Sequence, residues 1–358
     1  MNILRAIRTR LRRHSTVARL LAFLGIGAAG VASVVAVATL WLVAVPVEPA
    51  EEITWGVTFS HRQAQELGID WRLTYTALLD EMKVRHVRIP IYWDELEERP
   101  GRYDFSIWDE QLAQLEKRGG KAIVAVGFKL PRWPECRAPA WLDARDVTSA
   151  KFQARLLAML TAVIRHYEDY PSISAWQIEN EPLLEFGICP PASEELLDRE
   201  VGLVRELDPS RPIIVTDTGE ASLWYEAGKR ADIVGSTLYR IIHHHERDEF
   251  LNYWWIPPQQ YARKAQLLKL WSGKDVIITE LQAEPWVTDV PISIHSQEER
   301  ERTMNGEKFR ETINYARATG IDTFYLWGAE YWYWARSQGE EDIWNAAREL
   351  FAAPNQGL

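Results

Sequence analysis

Two glutamates, Glu181 and Glu280, stand at the ends of apolar, strand-like runs, ISAWQIEN (173–180) and DVIITE (275–280). Asn180 comes directly before the first of them. Two carboxyl groups that flank a glycosidic bond are the minimum for its hydrolysis, because one protonates the leaving oxygen and the other attacks the sugar or activates water. The pair indicates glycoside chemistry, provided that the fold brings the two strand ends together.

The rest of the chain alternates short β-rich runs with longer apolar patterns at helical spacing. The strand candidates are 53–59, 86–91, 121–128, 173–180, 212–217, 231–239, 275–280 and 322–328. The helix candidates are 70–83, 105–119, 148–169, 193–207, 220–230, 259–272, 297–320 and 340–351. This alternation predicts an α/β fold, a (β/α)8 TIM barrel, whose active site lies at the C-terminal ends of the strands. An open doubly wound sheet is less consistent with the sequence, since no Gly-x-Gly-x-x-Gly follows the first strand.

In this arrangement the chain resembles clan A glycoside hydrolases, which carry an acid/base glutamate after strand four and a nucleophile at strand seven. The motifs that match are WQIENEP around Glu181 and VIITELQAEPW around Glu280, and the resemblance covers essentially all of residues 53–350. It is strongest toward cellulase-like members of family 5 and toward families 42 and 39.

The resemblance implies a role for each matching residue. Glu181 would be the general acid and base, and Glu280 the nucleophile of a retaining reaction. Asn180 would hold the sugar 2-hydroxyl. Arg88 and Tyr239 would keep Glu280 ionised and oriented, because a nearby cation and a donated hydrogen bond both favour a carboxylate. The remaining match, Trp327, would be a stacking platform for the sugar.

The sequence leaves the role of two positions open. His61, after the first strand, is either a sugar contact or a capped turn residue. Many family 5 enzymes carry a histidine after strand three, whereas this chain has Phe128 and Lys129 there. The identity of the sugar therefore stays open.

We expect a retaining β-glycoside hydrolase that cleaves an extracytoplasmic oligo- or polysaccharide with two glutamates. The alternatives are a catalytically silent glycan-binding barrel and a transglycosylase that uses the same intermediate. The expected partner is a carbohydrate. We expect no cofactor and no metal, and we expect the chain to be a monomer.

The run His243, His244 and His245 is interpreted as a solvated loop, because consecutive residues do not easily converge on one ion.

Other residues have competing interpretations. Glu179 has the same strand parity as Glu181, so we expect it to be a structural partner of a buried cation. Aromatic residues in the loops could line a glycan cleft or simply pack the protein: Trp133, Tyr253, Trp254, Trp255, Trp286 and Trp332.

The N-terminus has a different composition from the rest of the chain. Residues 20–47 contain no charged residue, and six arginines precede them within 1–19. About 20 apolar residues suffice to span a bilayer as a helix, and basic residues mark the cytoplasmic side. We expect a cytoplasmic tail (1–19), a transmembrane signal anchor in the cell membrane (20–47) and an extracytoplasmic catalytic domain (48–358). A secreted protein after signal cleavage is the alternative.

The formal net charge of the 358-residue chain is −10, and the N-terminal arginines make the remainder more acidic still. Nucleic acid is therefore not an expected partner, since phosphate binding depends on Lys and Arg.

The two cysteines, Cys136 and Cys189, follow neighbouring strands three and four. Outside the cytoplasm we expect them to form a disulfide, with two free thiols as the alternative.

Overall fold

The computed structural model describes residues 26–27, 29–34, 36–37, 40–41, 46–191, 193–244, 247–288 and 291–352. Glu48–Leu358 forms one compact unit. The predicted tail, 1–19, lies outside the described residues, as does much of the predicted anchor, 20–47. Within the part of the chain that the structure describes, no helix is both long and apolar enough to cross a membrane.

Eight parallel strands close into a barrel, which confirms the predicted fold. In order around the barrel they are β1 (Thr54–Thr58), β2 (His86–Pro90), β3 (Lys121–Val126), β4 (Ile173–Ile178), β5 (Ile213–Asp217), β6 (Ile233–Leu238), β9 (Asp275–Gln282) and β10 (Thr323–Trp327). Two further strands, β7 (Ile241–His244) and β8 (Glu249–Asn252), form an antiparallel hairpin in the connection after β6. The alternation in the sequence did not reveal this hairpin.

Helices connect the strands. They are α1 (His61–Glu66), α2 (Trp71–Asp80), α3 (Trp93–Leu96), α4 (Ser106–Glu116), α5 (Ala150–His166), α6 (Glu194–Leu207), α7 (Tyr225–Arg230), α8 (Pro258–Ser272), α9 (Gln297–Glu301), α10 (Gly306–Arg317), α11 (Ala329–Ser337) and α12 (Asp342–Ala352), with 3-10 turns at Ala144–Asp146 and Ile292–Ile294. Each predicted helix has a counterpart. The candidate 297–320 is divided into α9 and α10, because Asn305 accepts a hydrogen bond from the Lys308 amide and starts a new helix.

The apolar residues form two cores. A small cluster, Ile123, Ala175, Ile214, Ile277 and Tyr325, comes from five barrel strands, as expected for the layers that fill a barrel interior. A larger cluster joins the strands to the helices, with fully buried Trp93, Trp176 and Trp344 among its members. These cores hold the strands rigidly, so that the residues at the strand ends have fixed positions.

Candidate active site

Glu280 lies within β9, and two side chains hold its carboxylate. Nη1 of Arg88, in β2, lies 2.8 Å from Oε1 of Glu280. Tyr239, the first residue after β6, donates its hydroxyl to Oε2 at 2.8 Å. One contact places a cation against the carboxyl group and the other supplies a hydrogen-bond donor, so both oxygens of Glu280 are held in place. The structure thus brings the three residues together, as the roles predicted for them require.

Arg88 also reaches across the barrel. Its side chain is 0% exposed. Nε donates to Oε1 of Gln177 at 2.6 Å, and Nη2 donates to Oδ1 of Asn180 at 2.7 Å. One guanidinium therefore links Glu280 to the segment that follows β4. A buried cation needs such partners, because an unpaired charge in the interior is costly.

Glu181 follows β4 in an uncommon backbone conformation. Its φ is 42°, in the left-handed region, and its amide donates to Oγ1 of Thr216 at 2.7 Å. Burial raises the pKa of the Glu181 carboxyl well above its usual range, and the negative charges of Glu280 and Glu135 raise it further. A carboxyl group in this environment keeps its proton to higher pH, which suits a general acid.

Glu179 does not have the cation partner that its strand parity predicted. Its φ is 58°, so the alternation of side chains across the strand breaks before Glu181. The carboxylate instead accepts hydrogen bonds from the backbone amides of Phe128, at 2.7 Å, and Lys129, at 2.5 Å. Burial raises its pKa, and Glu200 on α6 shares a hydrogen bond with it. The prediction of a structural residue fits, but backbone N–H groups rather than a cation are its direct ligands.

His61 is enclosed by other side chains. The residue is 1% exposed. Nε2 lies 2.5 Å from Oε2 of Glu95, and Nδ1 lies 3.4 Å from the amide nitrogen of Gln111. The rings of Trp71 and Trp108 pack edge-on against it. As the first residue of α1, directly after the capping residue Ser60, it matches the alternative interpretation of a turn residue.

Trp327, at the end of β10, has a protein neighbour on its ring. The Arg132 guanidinium lies 4.0 Å from the ring centroid. Arg132 is buried and forms ion pairs with Glu284 and, at 2.8 Å, with Glu330 on α11. This cation–π contact occupies one face of the predicted stacking platform. The sequence did not reveal this ion-pair cluster, because its members are far apart in the chain. Arg132 lies in the loop after β3, Glu284 in the loop after β9, and Glu330 at the start of α11.

Aromatic rings extend from the carboxylates toward the rim. The Trp286 ring packs edge-on against Tyr239 with centroids 5.2 Å apart, and Phe186 follows at 6.4 Å from Trp286. Trp133, 43% exposed, lies 6.2 Å from Phe186. Trp133 and Trp286 were predicted either to line a glycan cleft or to pack the protein, whereas Phe186 was not predicted; together the three rings form a row beside Tyr239.

The other aromatic candidates differ in exposure. Trp254 and Trp255 are exposed, and Tyr253 is half-buried. Trp332 is fully buried, and its indole N–H donates to the Ala283 carbonyl at 2.7 Å, so it belongs to the core.

Cys136 and Cys189 form a disulfide, with Cα atoms 5.2 Å apart. The bridge joins the loop after β3 to the loop that follows Glu181. Nearby, Lys129 and Glu135 are buried polar residues, and the sequence patterns did not predict the burial of either.

The described residues of the histidine run, His243 and His244, do not belong to a group of metal ligands. In the described ranges no group of three or more His, Cys, Asp or Glu side chains could hold a metal ion. The prediction of a solvated loop was wrong for His243, which is buried in β7 and lies 3.1 Å from Asp248 through Nε2. His245 lies outside the described residues.

Residues 70–194 match the family model of glycosyl hydrolase family 42, described as beta-galactosidase. The matched range contains Arg88, Asn180 and Glu181, and ends before Glu280. No curated protein matches the chain in sequence.

Solved structures share the fold at low identity. A beta-galactosidase from a Rahnella species is 14% identical with a TM-score of 0.56, over 86% of this chain and 57% of that chain. A protein of subfamily 18 of glycoside hydrolase family 5 from Bifidobacterium longum, solved with Manβ1-4GlcNAc, is 13% identical with a TM-score of 0.59, over 86% and 79%. An exo-beta-1,4-mannosidase from an Opitutaceae bacterium is 16% identical with a TM-score of 0.55, over 87% and 61%.

The chain covers less than two thirds of the beta-galactosidase structures that it matches, 57% in the Rahnella case. At these identities the structural similarity shows the fold. Together with the family match, it confirms the predicted resemblance to clan A glycoside hydrolases, and it is consistent with the predicted enzyme class, a glycosidase.

Proposed function

We propose that the protein is a retaining β-glycoside hydrolase, with Glu280 as the nucleophile and Glu181 as the general acid and base. The observation that carries this proposal is the contrast between the two carboxyl groups. Glu280 is oriented by the Arg88 guanidinium and the Tyr239 hydroxyl, one at each of its carboxylate oxygens. Burial and neighbouring negative charges raise the pKa of Glu181, which favours its protonated form. Pairs of carboxyl groups in opposite environments divide the nucleophile and acid roles in this way.

The reaction would proceed in two displacements. In the first, a carboxylate oxygen of Glu280 attacks the anomeric carbon while Glu181 gives its proton to the departing glycosidic oxygen. In the second, Glu181 takes a proton from water, and that water breaks the ester between the sugar and Glu280. The two inversions together retain the anomeric configuration. Interception of the ester by a second sugar would give transglycosylation.

Asn180 is suited to bind the sugar beside Glu280. Its Oδ1 already accepts a hydrogen bond from Arg88. This contact fixes the orientation of the amide and leaves its NH2 group to donate to a substrate oxygen. A donor at this place supports the predicted contact with the 2-hydroxyl, which strengthens in the transition state.

The substrate class that we propose is a β-linked hexoside. The similar structures include beta-galactosidases and an exo-beta-1,4-mannosidase, and one was solved with Manβ1-4GlcNAc. The aromatic row of Trp286, Phe186 and Trp133 supports binding of sugar rings next to the carboxylates. We also propose that this domain works outside the cytoplasm, which the Cys136–Cys189 disulfide supports.

The test uses the full-length chain and aryl β-glycosides of galactose, mannose and glucose, along with β-linked oligosaccharides. Wild-type protein should release sugar from at least one substrate, and Glu280→Gln should abolish release. Glu181→Gln should lose hydrolysis of substrates with poor leaving groups, yet retain the first step with a dinitrophenyl glycoside, because that leaving group needs no proton. The exposed Glu185→Gln is the matched control. Glycan binding without turnover by folded wild-type protein would contradict the proposal and favour a silent binding barrel.

A further inference from the structure

Lys129, in the loop that follows β3, contacts the segment that carries Glu181. Its side chain is buried. Nζ donates to the backbone carbonyl of Glu181 at 2.9 Å and to that of Leu184 at 2.7 Å. An ammonium group has three donors and no acceptor, so two carbonyls satisfy most of its hydrogen-bonding capacity. Lys129 therefore fixes the backbone on the C-terminal side of Glu181.

The backbone of Lys129 fixes the other side of the same segment. Its amide donates to Oε2 of Glu179 at 2.5 Å, and its carbonyl accepts the Asn180 amide at 2.7 Å. Both Glu179 and Glu181 have positive φ, a conformation that costs on the order of 1–3 kcal/mol for a residue other than glycine. Such a conformation persists only where the surroundings hold it, and four contacts of Lys129 do so here.

Glu135 lies beside this lysine. It is buried, with φ of 70°, and Oε2 lies 3.4 Å from Nζ of Lys129 without forming a hydrogen bond. Burial raises the pKa of Glu135 to about 8, the Lys129 charge lowers it, and the Glu280 charge raises it. The next residue is Cys136, so the disulfide joins this loop to the one after Glu181.

We propose that Lys129 and Glu135 form a positioning pair, in which Lys129 holds the segment around Glu181 and the two side chains act on the Glu181 carboxyl with opposite electrostatic sign. The inference rests on the proposed function, in which Glu181 is the acid and base. Neither residue is assigned to bond making or breaking. They act through the position and the charge state of Glu181.

Several charged groups from different elements surround Glu181. Glu280 on β9, Glu135 after β3 and Glu220 after β5 raise the pKa of the Glu181 carboxyl, and Lys129 lowers it. Arg88 on β2 acts on Glu135, whose pKa it lowers. Removing the Lys129 charge should therefore raise the pKa of Glu181, and removing Glu135 should lower it.

The experiment measures kcat/KM against pH for the full-length wild type, Lys129→Met and Glu135→Gln. Activity falls with rising pH as Glu181 loses its proton, which gives the alkaline limb of the profile. Lys129→Met should move this limb to higher pH by about one unit, as expected for loss of a nearby opposite charge. It should also lower kcat by roughly 10- to 100-fold through misplacement of Glu181. Glu135→Gln should move the limb to lower pH by a smaller amount, because Glu135 is protonated below about pH 8.

Conservative and matched variants separate this role from a general packing effect. Lys129→Arg keeps the charge and should leave the alkaline limb near its wild-type position. Lys151→Met, on the exposed side of α5, and Glu185→Gln, exposed in the loop after Glu181, should change neither the limb nor kcat. If Lys129→Met fails to fold, Glu135→Gln and Lys129→Arg still decide the question. No shift in Lys129→Met, or an upward shift in Glu135→Gln, would overturn the inference.

A second readout does not depend on turnover. The ¹³C-carboxyl resonance of Glu181, assigned by its loss in Glu181→Gln, can be titrated by NMR in the wild type and the same variants. The titration midpoint should move up in Lys129→Met and down in Glu135→Gln. If the wild type hydrolyses no glycoside, the proposed function fails, while this titration still tests the pair. Unchanged midpoints in an active enzyme would refute the pair alone.

Discussion

Nη1 of Arg88 lies 2.8 Å from Oε1 of Glu280, and Nη2 of the same guanidinium lies 2.7 Å from Oδ1 of Asn180. Arg88 thereby connects the candidate nucleophile on β9 with the candidate sugar-binding amide after β4. The planar fork of arginine allows both contacts at once, which a lysine ammonium on a flexible stem does not reproduce.

Arg88→Lys should therefore lower kcat/KM by at least about 100-fold, because one of the two partners loses its donor and Glu280 loses orientation. Steady-state kinetics on the best aryl glycoside would check this. The matched control is Arg72→Lys, a surface arginine of α2 paired with Glu110, which should behave like the wild type. Equal activity of Arg88→Lys and the control would show that Arg88 has no part in orienting Glu280.

Tyr239→Phe removes a single hydrogen bond to Glu280. A hydrogen bond to a charged group contributes about 1.5–3 kcal/mol, so kcat/KM should fall by roughly 10- to 150-fold. The fold should persist, since the phenyl ring keeps the edge-on contact with Trp286. Kinetics and thermal unfolding of the variant would test both expectations. A large fall in the unfolding temperature with unchanged kcat/KM would contradict them.

Stability should depend on pH through Glu135. Its pKa is raised to about 8 in the folded chain from 4.5, so the folded state binds more protons than the unfolded state between these values. The free energy of unfolding should therefore decrease as pH rises from about 4.5 to about 8. Glu135→Gln cannot ionise and should show a shallower decrease. Urea unfolding at several pH values would measure it, and an unchanged slope in the variant would rule out this titration.

The Cys136–Cys189 bridge closes a loop with a sequence separation of 53 residues. In the chain-entropy model, a loop of this length stabilises the folded state by about 4 kcal/mol. The double variant Cys136→Ser/Cys189→Ser should lose stability of that order, and reduction of the wild type should reproduce the loss. Denaturant unfolding with and without reductant would check this. Identical midpoints for oxidised and reduced wild type would contradict the expectation.

Much of the architecture could be predicted, because a parallel barrel requires apolar strands between amphipathic helices. That pattern also located Glu280, which lies within a strand, and Tyr239, which directly follows one. Backbone amides take the place of the cation that was predicted as the partner of Glu179, and the reason is physical. Positive φ at Glu179 and Glu181 interrupts the alternation on which strand parity depends.

The sequence patterns did not predict the burial of the charged residues in the loop after β3. Lys129, Arg132 and Glu135 follow β3 in a segment where Arg132 and Glu135 also have positive φ. Their burial results from the path of this loop and from the disulfide, neither of which leaves a periodic signal. His61 was predicted to be either a sugar contact or a capped turn residue, and its enclosure by Trp71 and Trp108 depends on packing between α1, α2 and α4.

The measurement that most directly tests the central claim is identification of the residue that becomes glycosylated. The full-length protein would be treated with a 2-deoxy-2-fluoro glycosyl fluoride of the sugar that it releases fastest, then digested and analysed by mass spectrometry. Our account predicts one covalent sugar, attached to the peptide that contains Glu280, and no label in Glu280→Gln. Label on another carboxylate, or hydrolysis with inversion and no label, would contradict the assignment of Glu280 as the nucleophile.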